Sequence, residues 1–352
     1  MTKYLENTYY KLVCENKLNV AYFGGSITFG AAASDRDKTS WRALTTAFLK
    51  KNFKNAEITE TNAAVSGTGT GYALFRMDDD LLSHNPDLVF IEFSINDMYQ
   101  MYTVEESLIY YESVLKRIYA HNPNADIIMV VTTDKGYIGG TCDMMQAHKK
   151  LASYYNIPTI DVGAALAEEL QITGNSIDEY IADWVHPADK GYAVYAKTVC
   201  AFLEKELTGA EPADISAKDL PKYHSEGLML SKTTSIAPEN ADNSVNKGFV
   251  SEGSFWTDIN KMPTSNNIGD EWSFTFSGTY LGAWIETSPS DIAAKNMVAV
   301  IDGETYGPLQ CTKQDHSLIH ITCAKDLKEG LHQVTLKNLS GGKFRLSKLF
   351  MA

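Results

Sequence analysis

The chain has 352 residues, 44% of them hydrophobic and 21% charged, which is enough apolar matter for a sizeable core and a length at which two domains are expected. The formal net charge of -13 argues against a nucleic-acid partner, because phosphate binding needs a basic face and no Lys/Arg cluster interleaved with aromatics is present. No apolar run approaches the ~18 residues of a membrane helix, so no membrane partner is expected.

Met1 to Leu18 is polar and mixed in charge, with no secretion leader in view. The five cysteines (Cys14, Cys142, Cys200, Cys311 and Cys323) are scattered, and none forms a Cys-x-x-Cys pair. Free thiols in a cytoplasmic protein are the expectation, each acting as a small buried hydrophobe.

From Asn19 to about Leu207, short apolar runs alternate with helix-like stretches. The runs are Val20–Phe23, Ile58–Asn62, Leu88–Phe93, Ile127–Thr132 and Ile157–Val162. They are continuous rather than alternating, as parallel strands covered on both faces should be. Helices are predicted near Ser40–Phe53, Gly71–Ser83, Val104–His121, Met144–Tyr155 and Pro187–Leu207. A β-α repeat of this kind predicts an α/β domain, residues 1–208, with an open parallel sheet between two helix layers.

Residues 209–226 carry Pro212, Pro221, many charges and no periodicity, and are predicted as a linker. After them the period becomes two. Trp272–Phe276 alternates, as do stretches around Leu281–Ile285, Val298–Ile301, Leu318–Ile321 and Val334–Leu336. Asp302-Gly303, Lys328-Glu329-Gly330 and Ser340-Gly341-Gly342 read as turns between them. Residues 227–352 are therefore predicted as an all-β sandwich of jelly-roll type. Of its tryptophans, Trp256, Trp272 and Trp284, at least two are expected in the core, as is Trp41 of the first domain.

Chemistry-bearing residues gather after the strands. Ser26 follows the first, in Gly24-Gly25-Ser26-Ile27-Thr28. Ser66-Gly67-Thr68-Gly69 follows the second and Ser94-Ile95-Asn96-Asp97 the third. Asp183-Trp184-Val185-His186-Pro187 follows the fifth, beyond a helical insertion. All lie past the carboxyl ends of parallel strands, where open α/β sheets form their ligand crevice. Serine, imidazole and carboxylate are the parts of an acyl-transfer triad: His186 as general base, Ser26 as nucleophile and Asp183 orienting the ring. The oxyanion needs donors, for which the N–H of Ser26, the N–H of Gly67 and the amide of Asn96 are candidates.

These four blocks resemble the SGNH hydrolases, the GDSL-like esterase family, over roughly Val20 to Leu207. The resemblance implies a flavodoxin-like five-stranded sheet, Ser26 as nucleophile, Gly67 and Asn96 as oxyanion donors, and Asp183 with His186 completing the triad. Two positions depart from the family pattern. Gly25 stands where an aspartate usually precedes the serine, and Ser94 where a glycine stands two before the asparagine. A hydrolase domain followed by a sandwich also resembles carbohydrate acetyl-esterases, of the acetyl-mannan and acetyl-xylan kind, that carry a carbohydrate-binding-type module. Leu331–Leu336 and Phe344–Leu346 are similar to the closing strands of such modules.

Trp184 has two readings, a sugar-stacking surface or a core wall. Asp134–Tyr137 reads as a plain loop, with a place at the crevice as the alternative. Asp78-Asp79-Asp80 reads as a solvated helix face, because adjacent carboxylates on a helix diverge. His316 and His320 form no zinc pattern, and Gly67–Gly71 lacks the Gly-x-Gly-x-x-Gly spacing of a dinucleotide loop. No metal and no cofactor are expected. An α/β-hydrolase elbow would need a glycine where Thr28 stands.

The expected function is a serine esterase that removes O-acetyl groups from an oligosaccharide, with an acyl-enzyme on Ser26. The rivals are a lysophospholipase or thioesterase on the same triad, and a carbohydrate-binding protein with an inactive hydrolase domain.

Overall fold

The computed structural model describes residues 4–100, 102–208, 213–222, 224, 230, 232–254, 261–288, 293–309 and 317–352. Trp256, Cys311, His316 and parts of the expected linker lie outside the described residues. The chain divides into two compact units, Met1–Met229 and Leu230–Ala352.

The first unit is built on a parallel sheet of five strands: β1 (Lys17–Gly24), β2 (Glu57–Asn62), β3 (Leu88–Glu92), β4 (Asp126–Val131) and β5 (Thr159–Asp161). Their order across the sheet is β2-β1-β3-β4-β5, the flavodoxin-like arrangement. The helices are α1 (Glu6–Tyr10), α2 (Ser26–Phe29), α3 (Trp41–Asn52), α4 (Thr70–Asp80), α5 (Ser94–Tyr99), α6 (Val104–His121), α7 (Asp143–Tyr154), α8 (Val162–Thr173) and α9 (Asp189–Glu206). The apolar runs became β1, β3 and β4 as buried strands. β2 differs: it is the edge strand and only Ile58 is buried in it. The run at 157–162 yields three strand residues, after which Val162 opens α8.

Alternate side chains of the strands enter different layers. Val20, Tyr22, Leu88, Phe90, Ile128 and Val130 pack with Trp41 of α3, Leu166 of α8 and Tyr195, Val199 and Leu203 of α9. Trp41 is wholly buried, edge-on to Tyr22 and Phe90. Helices α4, α6 and α7 pack side by side. α6 begins with a capping box, Thr103 with Glu106, which satisfies two otherwise orphaned donors. Residues 213–222 lie against this unit: Asn7 bonds the backbone of Ser216 in both directions, and Lys218 pairs with buried Asp126.

The second unit holds two antiparallel sheets. Its strands are β6 (Thr234–Ile236), β7 (Asp242–Lys247), β8 (Val250–Gly253), β9 (Lys261–Ser265), β10 (Glu271–Ser277), β11 (Leu281–Thr287), β12 (Met297–Ile301), β13 (Glu304–Tyr306), β14 (Ser317–Ala324), β15 (Leu331–Asn338) and β16 (Phe344–Met351). One sheet runs β13-β12-β15-β10-β7; the other runs β14-β11-β16-β9-β8, with β6 also paired to β16. The period-two stretches face inward as expected. Phe274, Phe276, Val334 and Leu336 of one sheet pack with Ala283, Ile285, Ile319, Ile321 and Leu346 of the other. Trp272 is core and donates its indole N–H to Ser244. Trp284 is also buried.

Among the described residues, no helix is long and apolar enough to cross a membrane and no group of His, Cys, Asp or Glu is placed to hold a metal. The described cysteines are unpaired. Of the four described, only Cys323 is buried; Cys14 is exposed, and Cys142 and Cys200 are half-buried, so the expectation that each of the five is a buried hydrophobe fails for three.

Candidate active site

Because the strand order reverses between β1 and β3, the crevice opens beyond their carboxyl ends. Ser26 follows β1 as the first residue of α2, a single turn that closes on Gly30 at φ +96°. A helix start leaves the first N–H groups without intrahelical partners, so the Ser26 N–H is free to face a ligand. Gly24 permits the turn: a Cβ there would lie 2.4 Å from Thr28 Oγ1 and 2.8 Å from the Glu92 carbonyl.

His186 and Asp183 sit between a short 3-10 turn, Ile177–Glu179, and α9, in a loop closed by Ala182 N–H to His186 O (2.9 Å) and Ala188 N–H to Tyr180 O (2.8 Å). Asp183 Oδ1 accepts the N–H groups of Val185 and His186, each at 2.8 Å. Its Oδ2 lies 2.6 Å from His186 Nδ1, and His186 Nε2 lies 2.8 Å from Ser26 Oγ. With Nδ1–H given to the carboxylate, Nε2 keeps its lone pair for the serine proton. Burial alone would raise the Asp183 carboxyl, but the N–H of His186, its ring and the N–H of Val185 hold it at about 2. A hydroxyl, an imidazole and a carboxylate in such a row can activate the hydroxyl as a nucleophile.

Asn96 lies in α5, 8% exposed, with its amide over Gly25. A Cβ on Gly25 would stand 2.2 Å from Asn96 Oδ1 and 2.8 Å from Nδ2. Gly67 lies in the turn before α4 at φ +73°, a conformation that favours glycine. Its carbonyl accepts from Gln100 Nε2 at 2.7 Å.

Trp184 is 58% exposed, so it is no core wall. Yet it is held. Its indole N–H donates to Tyr99 Oη (3.1 Å), which donates to Asp134 Oδ2 (2.5 Å). Its carbonyl accepts from the Lys135 N–H at 3.0 Å, and its ring edge lies over Gly136. Asp134–Tyr137 is thus no plain loop, because it braces the segment that carries His186. Burial, then Asp134, pushes the Tyr99 phenol up to about 12.

Two supporting groups escaped sequence reasoning. Glu92, wholly buried at the end of β3, accepts from Thr28 Oγ1 (2.9 Å) and Thr132 Oγ1 (2.8 Å), directly beneath the Ser26 turn. Burial outweighs these bonds and that from the Gly25 N–H, and raises its carboxyl to about 7. Arg76 of α4 donates to the carbonyls of Ala63 (2.6 Å) and Gly24 (3.3 Å), tying the ends of β1 and β2. Charged residues within a strand or a helix interior give no sequence signal of which backbone they will serve.

A parallel sheet in this order, with such a row at its carboxyl edge, defines an α/β acylhydrolase. Residues 22–194 match the GDSL-like lipase/acylhydrolase family, which supports an ester hydrolase. No curated protein matches the chain. Among solved structures, a two-domain esterase active on acetylated mannans is similar, with a TM-score of 0.80 and 23% identity over 99% of this chain and 95% of that chain. The same kind of esterase co-crystallised with mannopentaose gives a TM-score of 0.77 at 23% identity over the same shares. An acetylxylan esterase from Geobacillus stearothermophilus gives 0.45 at 22% identity, over 55% of this chain and 97% of that chain. At such identities the mannan-esterase likeness is one of fold.

Proposed function

We propose that this protein is a serine esterase that removes O-acetyl groups from carbohydrate. The observation that carries the reading is the unbroken row from Ser26 Oγ through His186 to Asp183, 2.8 and 2.6 Å per link. His186 takes the Ser26 proton as the oxygen attacks the acetyl carbonyl. The N–H groups of Ser26 and Gly67 and the amide of Asn96 receive the oxyanion. The protonated His186 then gives its proton to the departing sugar hydroxyl, leaving an acetyl ester on Ser26. Water, deprotonated by His186, attacks that ester and releases acetate.

The carbohydrate part of the reading takes its support from two sources. One is the fold shared with an esterase active on acetylated mannans. The other is Trp184, an exposed ring held rigid beside the row, which offers an apolar face for a sugar. The substrate is an acetylated oligosaccharide.

The test is acetate release from acetylated oligosaccharides by the protein and by Ser26→Ala. Equal rates would end the serine mechanism. A series of p-nitrophenyl esters tests the acyl group: rates should fall as the chain lengthens, and a preference beyond about four carbons would point instead to a lysophospholipase or thioesterase.

A further inference from the structure

Behind Asn96 runs a row of hydrogen bonds that the proposed chemistry does not use. Thr70, the first residue of α4, donates its N–H to Asp97 Oδ1 (2.7 Å) and its hydroxyl to Oδ2 (2.6 Å). Ser107 of α6 donates to the same Oδ2 at 2.6 Å. Ser107 Oγ lies 2.6 Å from Nε2 of His148 on α7, and His148 Nδ1 lies 3.0 Å from Ser94 Oγ. All five residues are buried.

With Asp97 ionised, valence fixes the proton order. The Ser107 hydroxyl has one proton and gives it to Asp97, so it accepts the Nε2–H of His148. Nδ1 then carries a lone pair and takes the Ser94 proton. The imidazole is neutral, because burial lowers it to about 3, and the Tyr111 ring stands 4.5 Å from it.

The row begins and ends on α5, since Ser94 and Asp97 bracket Asn96. It ties that helix to α4, α6 and α7. Gln100, which caps the end of the same helix, grips the Gly67 carbonyl with its amide. A six-residue helix does not hold itself in water, and apolar packing alone would let it slide or turn. A row in which each named donor meets an acceptor has one register.

We infer that Ser94, His148, Ser107 and Asp97 form a positioning network for the oxyanion donors. It holds the Asn96 amide in the slot over Gly25, and through Thr70 and Gln100 it sets the Gly67 turn in the same frame. The inference rests on the oxyanion role proposed for Asn96 and needs no particular sugar.

The experiment measures kcat and KM on p-nitrophenyl acetate for Ser94→Ala, Asn96→Ala and the double variant of the full chain. Each single change should lower kcat by roughly ten- to a hundredfold with KM within about twofold, and the double should be no slower than Asn96→Ala. Multiplying losses, or wild-type kcat in Ser94→Ala, would overturn the network. Ser94→Ala removes one hydroxyl, whereas His148→Phe risks the fold, so nitrogen-15 NMR reads His148 in the unaltered protein. Above pH 7, where Asp97 is ionised, the spectrum should show a neutral ring protonated on Nε2, and a proton on Nδ1 would overturn the assignment. Ser26→Ala is measured alongside. Retained turnover there would defeat the serine mechanism, while coupling between Ser94 and Asn96 would still read separately.

Discussion

In the α/β domain the buried acids Glu92 and Asp97 are both raised to about 7, burial outweighing every hydrogen bond they accept. In the sandwich, buried Asp270 goes the other way: burial would raise it, but the N–H groups of Asn267 and Asn266 and the Ser265 hydroxyl hold it below the usual range. Asp270 accepts those bonds at 2.9, 2.9 and 3.1 Å and so closes the turn from β9 to β10. Gly248 leaves it room, since a Cβ there would lie 2.3 Å from Asp270 Oδ1. One domain uses a carboxylate to cap a turn and gains stability from it. The other keeps acids under its reactive edge at a cost to stability, as functional sites commonly do.

The largest expected effect separates chemistry from folding. His186→Ala should cut turnover of p-nitrophenyl acetate by on the order of a millionfold, with the melting temperature little changed. Residual activity within tenfold of wild type would remove the imidazole from the mechanism.

Asp270→Ala should do the reverse. Loss of a cap that serves three donors should cost about 2 kcal/mol in urea unfolding while leaving kcat intact. Because its pKa is depressed, the contribution of Asp270 is present above the ordinary carboxylate range and is lost as pH falls through it. The gap between wild type and variant should therefore close in acid. A gap that persists at the lowest pH would mean that the charge is not what caps the turn.

Glu92→Gln sharpens the comparison most finely. Between the ordinary value of 4.5 and the folded value of about 7, the folded protein holds a proton that the unfolded chain has lost. Its stability therefore falls as pH rises through that window. The glutamine variant should gain on wild type over the same range, read as the difference in melting temperature between pH 5 and 8. A difference that stays flat with pH would show that Glu92 is not neutralised by folding. Asp97 keeps its own share of the trend in both proteins.

Much of the α/β fold was legible because its strands and helices repeat a pattern. α6 falls on Val104–His121 as predicted, and α3 and α9 lie within two residues of expectation. The Ser26 and Asn96 blocks were legible because each directly follows a strand whose end is fixed by the sheet, whereas the His186 block lies beyond the helix that follows β5. The sandwich was read through β10 and β15, which alternate. β7 was not, since its residues are nearly all exposed and carry no period. α5 gave no signal of its own, because six residues are too few to show a helical period. His148 was unreadable as well: its meaning depends on Ser94 and Ser107, which come near only after three helices pack. The same contacts make sense of the two departures from the family pattern, since Ser94 serves that histidine and Gly25 makes way for Asn96.

That last vacancy beside the nucleophile has a practical use. Adding one methyl group, as in Gly25→Ala, would push the amide of Asn96 aside while every one of the three triad side chains keeps its identity. Such a protein should hydrolyse p-nitrophenyl acetate roughly ten- to a hundredfold more slowly, which would report what the amide alone contributes while the row of three stays in place.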